Sequence, residues 1–377
     1  MTADSTGSLS FYELSKDASE PPISLIHTHQ CTDPSILLTD LEAHPSIPGL
    51  LGYVTSSGLV SLLEIDLDIL VKTNRSGSDF STLVKNHQSF PCADEGFEAW
   101  TLAFANESHD QDQTGKSRSV GVYTGSDDST LRRIDFDLKR DQSPRPFVPS
   151  SNNGDDDDDG QDTENEDAVL RMLDRRSHNA GVVAILPLSL PQPTSDPAQD
   201  ERVEQSSNDM NEIIMTGSYD DHIRVLSRPK TAASPLLRNK ILAELNLGGG
   251  VWRLKIISQS TPALTSVSTL SSERSWTILA SCMHAGSRIV RVTRSDKGGV
   301  PHVSSGEDGQ GEWTFDVLAR FEEHKSMNYG SDVQPRLGQN REAEGFQQGD
   351  ERGETDNVAP TIISTSFYDK LMCLWRV

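Results

Sequence analysis

Cys282 and His284 stand two residues apart beside a β-rich run, where they could supply a thiol and a base. His284 takes the position before a hairpin turn, and an imidazole with an ordinary pKa suits general-base work near neutrality. On a regular strand Cys282 would point to the same side. It could then be a nucleophile or an inert core thiol. Tyr219, Tyr329, Tyr368 and Arg253 hold turn or junction positions from which each could donate to a developing oxyanion. Glu98, Trp100, Trp252 and Arg253 lie at loop-to-strand junctions and are candidates for substrate binding. His222, past its turn on the following strand, ranks below them. Together these groups could supply a base or nucleophile and donors to a developing negative charge. The same aromatic residues could instead plug a central channel or contact a protein.

Other signatures are absent. The chain has no GxSxG, no HExxH, no P-loop and no Gly-rich dinucleotide turn. Gly248–Gly250 precedes a strand, so it offers no helix N-terminus to an anion. Four scattered cysteines without a CxxC spacing argue against a zinc site or a redox pair and fit reduced thiols. No metal is expected.

These candidates must be positioned by a repeat. It reads TGSDDSTLRRIDF (124–136), TGSYDDHIRVLS (216–227) and STSFYDKLMCLWRV (364–377), with weaker copies at 54–66 and 281–292. Each copy is a tight hairpin between strands of period two. A strand precedes each hairpin, as in FEAWTLAF (97–104) and GVVAILPL (181–188), and another follows several of them, as in KILAELNL (240–247). Four strands per unit predict an all-β fold, a β-propeller of the WD40 type. Five blades are recognisable, starting near residues 33, 97, 180, 249 and 327. A fragment at 7–15 and 23–28 looks like the last two strands of another. Against a ring of about seven blades, this count predicts an N-terminally truncated propeller. In the register of the repeat, His87 pairs with Asp128, His178 with Asp220 and His324 with Asp369, at separations of 41, 42 and 45 residues. A catalytic pair occurs once, whereas a contact ordering a loop against a turn recurs per blade, so these six are assigned structural roles.

Residues 1–377 read as a single domain, with disordered polar inserts at about 138–175, 190–210, 258–275, 295–312 and 334–358. The net charge is −23, and nine acidic residues without a basic one fall in 151–167. Such a run stays solvated, or serves as a hook for a basic partner. The acidic balance disfavours nucleic acid. No run of 18 apolar residues and no apolar leader is present, so the expected setting is the cytoplasm, without membrane contact.

In order along the chain, FEAWTLAF, TGSYDDHIRVL, GGGVWRLK, LASCMHAGSRIV, YGSDV and STSFYDKLMCLW resemble the WD-repeat diphthine methylesterase family. The resemblance runs from about residue 87 to the C-terminus, over two thirds of the chain. The acidic inserts, the missing N-terminal blades and Leu226 in a position usually held by Trp are departures. The resemblance implies a cofactor-free hydrolase that demethylates methylated diphthine on translation elongation factor 2 during diphthamide biosynthesis, and the chain is expected to be a monomer. The alternative is a non-catalytic WD40 adaptor or scaffold binding elongation factor 2 or another protein. The catalytic assignments above come from position, not from the family.

Overall fold

The computed structural model describes residues 1–15, 21–72, 80–106, 117–139, 168–189, 211–229, 239–260, 273–295, 311–334 and 360–376. Among the described residues, six β-sheets follow one another along the chain. Blade one holds β1 (Thr2–Ala3), β2 (Ser8–Leu14) and β3 (Ile23–Gln30). Blade two holds β4 (Leu38–Ala43), β5 (Leu50–Thr55), β6 (Leu59–Ile65) and β7 (Val84–Pro91), with the short helix α1 (Leu67–Lys72) before its last strand. Blade three holds β8 (Ala99–Phe104), β9 (Ser117–Ser126), β10 (Leu131–Lys139) and β11 (Ala168–Asp174). Blade four holds β12 (Val182–Leu188), β13 (Glu212–Ser218), β14 (His222–Arg228) and β15 (Lys240–Asn246). Blade five holds β16 (Arg253–Ser260), β17 (Arg274–Ser281), β18 (Ser287–Ser295) and β19 (Glu312–Phe321). Blade six holds β20 (Asn328–Val333), β21 (Thr361–Ser366) and β22 (Met372–Arg376).

Six sheets correct the count of five units and a fragment. Units two to six match the five expected starts, and the N-terminal stretch is a sheet of its own. Its first strand is only two residues long, too short to carry a period-two signal. The expectation of missing blades rested on the lower count and goes with it.

The chain divides into two compact units: Met1–Asp220 with Arg224–Leu242, and Asp221–Ile223 with Ala243–Val377. Within the first unit the blades pack face to face. Leu9 and Phe11 of blade one meet Leu51, Tyr53, Leu63 and Ile65 of blade two. The other face of blade two, Leu50, Val54, Val60 and Leu62, meets Leu102, Val122, Ile134 and Phe136 of blade three. Tyr123, Leu131 and Met172 of blade three then meet Ile185, Ile214 and Leu226 of blade four. In the second unit Leu279 and Ile289 of blade five meet Ile362 and Trp375 of blade six. Each inner strand thus buries alternate residues on both sides of its sheet, which is why β5 (LLGYVT) is buried at every position.

The polar inserts and the acidic run 151–167 lie for the most part outside the described residues. Their described edges are strand: β10 reaches Lys139, β11 starts at Ala168, β16 reaches Ser260 and β19 starts at Glu312. Among the described residues, no helix is long and apolar enough to cross a membrane.

Candidate functional site

Hairpin turns carry the polar chemistry of each blade. In blade three, Asp128 accepts from Ser126 Oγ at 2.5 Å, Thr130 N at 2.9 Å and Asp94 N at 2.9 Å. Arg132, four residues on, donates to the same carboxylate at 2.6 Å and to Asp94 at 2.8 Å. Burial opposes ionisation of Asp128, but Arg132 and these donors outweigh it and hold the carboxyl well below its usual range. Blade four repeats the arrangement with Asp220 and Arg224 at 2.9 Å. The residue after each turn aspartate (Ser129, Asp221 and Lys370) has positive φ, which closes the turn.

The three histidine–aspartate pairs differ from expectation. His178 Nε2 lies 2.8 Å from Thr216 Oγ1, and His324 Nε2 lies 2.8 Å from Ser364 Oγ. Trp375 Nε1 also donates to Ser364 Oγ, at 3.2 Å. The turn aspartate is held by the backbone N–H that follows each histidine: Asn179 N to Asp220 at 2.9 Å, Lys325 N to Asp369 at 3.0 Å. Nδ1 of both rings has no hydrogen-bond partner. His87 bonds Tyr53 Oη at 2.7 Å, while Asp94 N takes the Asp128 carboxylate. Sequence separation put His87 in the role because the spacing matched, but it lies on β7, where its side chain faces the blade.

His284 occupies the place of the turn aspartate in blade five. Four residues on, Arg288 repeats Arg132 and Arg224 but finds its carboxylate in Glu322, at 2.7 Å. His284 is exposed on the turn. Cys282 is fully buried; its thiol lies 3.7 Å from the Ala280 carbonyl, and burial pushes its pKa up to about 12. A buried protonated thiol and an exposed turn histidine do not make a nucleophile and base. Among the described residues, no group of three His, Cys, Asp or Glu could hold a metal ion. The expected ester hydrolase, with its methylesterase and diphthamide-specific chemistry, is therefore corrected: its expected nucleophile Cys282 is a core thiol and its expected base His284 a substituted turn residue.

The second unit does bring aromatic residues together. Trp252 and Tyr329 meet edge to face with centroids 4.9 Å apart, Tyr329 and Phe367 at 6.3 Å, Phe367 and Tyr368 at 5.2 Å. Arg253 lies 5.7 Å over the Trp252 ring. The loops that carry them are tied by Phe367 N to Met327 O at 3.2 Å, Tyr368 N to Ser326 Oγ at 3.0 Å and Asn328 N to Met283 O at 2.9 Å. Beneath them Ser281, Ser287, Ser331 and Asn328 bond one another, which anchors the YGSD segment. Burial, then Tyr368, raises the Tyr329 pKa. Phe367, the residue that joins Tyr329 to Tyr368, was missed in the sequence although it lies inside the quoted SFYD motif.

In the first unit, Glu98, Asp127 and Tyr219 gather around Gly181. Asp127 N bonds Glu98 O at 3.0 Å, and Tyr219 N bonds Gly181 O at 3.0 Å. A Cβ on Gly181 would stand 2.9 Å from both Asp127 Oδ1 and Tyr219 Cδ2, so a larger residue would have to displace one of them. Burial raises the Glu98 carboxyl, and Asp127 adds to it. Trp100 and His222 are half-buried at the starts of β8 and β14.

Six sheets with recurring Asp-x-x-x-Arg turns and the His324–Ser364–Trp375 relay make this a WD40-type β-propeller fold. No family model matches the chain. Over 375 residues it is 23% identical to diphthine methyltransferase of Schizosaccharomyces pombe (strain 972 / ATCC 24843), covering 99% of this chain and 73% of that protein. Sqt1 of Chaetomium thermophilum, solved bound to the N-terminus of the ribosomal protein L10, is 11% identical with a TM-score of 0.45. It is matched over 100% of this chain, which spans 66% of that one. Sqt1 of Saccharomyces cerevisiae is 10% identical with a TM-score of 0.42, over 100% of this chain and 80% of that one.

Proposed function

We propose that this chain is a non-catalytic WD40-type adaptor that binds a protein partner through Trp252, Tyr329, Phe367 and Tyr368. The observation that carries this is the exposure of two rings at the end of the series, 69% for Phe367 and 70% for Tyr368. Large aromatic rings left in water beside half-buried ones are the usual anchors of a protein interface. Trp252, Arg253, Tyr329 and Tyr368, expected to act on a substrate, serve here as contacts. Elongation factor 2, in the cytoplasm, is the partner to test first. The motif resemblance supports it, as does the distant similarity to a protein named diphthine methyltransferase.

Surface plasmon resonance with purified elongation factor 2 tests the proposal. Saturable binding is expected, weakened at least tenfold, about 1.4 kcal/mol, by Phe367→Ala combined with Tyr368→Ala. No binding by the wild-type chain would remove this partner. Binding that ignores the double substitution would remove the aromatic surface.

A further inference from the structure

A row of aromatic rings can take an apolar side chain, a cation or a stacked base, and the charges around it select among them. Trp252, Tyr329, Phe367 and Tyr368 all belong to the second compact unit. The Arg253 guanidinium already lies over the Trp252 ring, at 5.7 Å, and donates to the Trp252 carbonyl at 3.3 Å. Phe367 and Tyr368 share a turn with Lys370. That turn is tied to the loop of Lys325 by Lys325 N to Asp369 and by Tyr368 N to Ser326 Oγ, each at 3.0 Å. Both lysines are exposed.

Most carboxylates near these loops are engaged. Asp369 accepts from Ser366 Oγ and from Lys325 N, and these donors, the serine first, lower its pKa. Asp332 pairs with Lys255, and Glu322 with Arg288. Exposed Glu323 is left against Arg253, Lys325 and Lys370. In a chain whose formal charge is −23, these loops are locally basic. Such a surround repels a second cation from the ring faces and attracts a carboxylate. Nucleic acid is anionic too, but the acidic remainder of the chain repels its many phosphates. A short acidic segment meets only the local field, because more distant charges are screened.

We propose that the partner offers this surface an acidic segment, a stretch of polypeptide in which Asp or Glu flanks a large apolar side chain. The proposal rests on the reading of the four rings as a contact surface. The apolar side chain packs on Phe367 and Tyr368, and the flanking carboxylates face Lys325, Lys370 and Arg253. Charge complementarity of this kind fixes the register of the segment and rejects basic ones.

Fluorescence anisotropy of the full chain tests this with three labelled peptides of equal length: alternating Glu-Tyr, alternating Lys-Tyr and alternating Glu-Ser. The wild type is expected to bind the Glu-Tyr peptide at least tenfold more tightly than the Glu-Ser peptide. Lys325→Glu combined with Lys370→Glu should weaken Glu-Tyr binding at least tenfold, and so should Phe367→Ala combined with Tyr368→Ala. Any binding of the Lys-Tyr peptide should not fall when the lysines are reversed. Circular dichroism melts check that the variants fold, and if the charge reversal does not, Lys325→Gln with Lys370→Gln replaces it. Loss with the ring pair but not with the lysine pair would overturn the acidic segment and leave the aromatic surface standing. Binding indifferent to both pairs would overturn the surface as well. No Glu-Tyr binding by the wild type, or Lys-Tyr binding that falls on charge reversal, would also overturn the proposal. An oligouridylate that binds with the same dependence on both pairs would replace the polypeptide with nucleic acid. Because elongation factor 2 is absent from these mixtures, its failure to bind would leave their outcome unchanged.

Discussion

The Tyr123 hydroxyl donates to the Glu212 carboxylate at 2.5 Å, joining residues 89 apart in blades three and four. Arg133 and Arg228 converge on the same oxygen at 2.5 and 2.8 Å, and both stack near the Tyr123 ring. Burial, with the charge of Glu212, pushes the Tyr123 phenol up. Two guanidiniums beside one buried carboxylate leave a large imbalance if that carboxylate is lost. Glu212→Gln is expected to destabilise the first unit by about 3 kcal/mol or more. Urea denaturation measures it, and a loss under about 1 kcal/mol would show that the arginines find other partners.

The thiols differ in access. Cys31, Cys92 and Cys282 are buried, and burial pushes each up to about 12, whereas Cys373 is half-buried on β22. Iodoacetamide at neutral pH should therefore alkylate Cys373 first. The other three should react only on unfolding, since the thiolate is the reactive form. Rapid labelling of Cys282 in the folded chain, read by peptide mass spectrometry, would contradict its place in the core.

Stability should fall on mild acidification. Burial lowers the His178 pKa from 6.5 to about 4, so between those values the unfolded chain binds a proton that the folded chain refuses. The contribution is fully present above pH 6.5 and is lost as pH falls towards 4. Its ceiling is about 3 kcal/mol. His178→Gln should flatten that part of the pH–stability curve while lowering stability at neutral pH, because a partner of Thr216 changes. An unchanged slope between pH 6.5 and 4 would assign the proton to another group.

His284 and Arg288 should differ in how much stability depends on them. His284 is exposed, so His284→Ala is expected to change stability by no more than about 0.5 kcal/mol. Arg288 is 4% exposed and donates to the Ala285 and Ser287 carbonyls and to Glu322. Arg288→Ala should cost about 1–3 kcal/mol. Thermal melts of both variants decide it, and a larger loss for His284 would restore a special role to that side chain.

Local patterns were legible. Hairpins at Asp128, Asp220 and Asp369, the strands around them and the repeat that stacks them follow from alternation over a dozen residues. Trp252 and Tyr329 stood out at loop-to-strand junctions and Tyr368 before a hairpin turn, but their mutual approach was not visible in the sequence. The Asp-x-x-x-Arg pairing stands in DDSTLR and DDHIR, but His284 in place of the aspartate obscures it in blade five.

By itself, then, the sequence determined the all-β class, the repeating blade and the turns, since period and turn chemistry act within a few residues of chain. Only the tertiary structure decided the rest. It made a sheet of the first thirty residues, because two-residue β1 gains its pairing from β2 and not from a pattern of its own. It sent His178 and His324 to a threonine and a serine 38 and 40 residues away, and it closed Cys282 into a core where its thiol stays protonated. Those outcomes depend on which face of a strand is covered and by what, and burial is a property of the packed neighbours rather than of the residue.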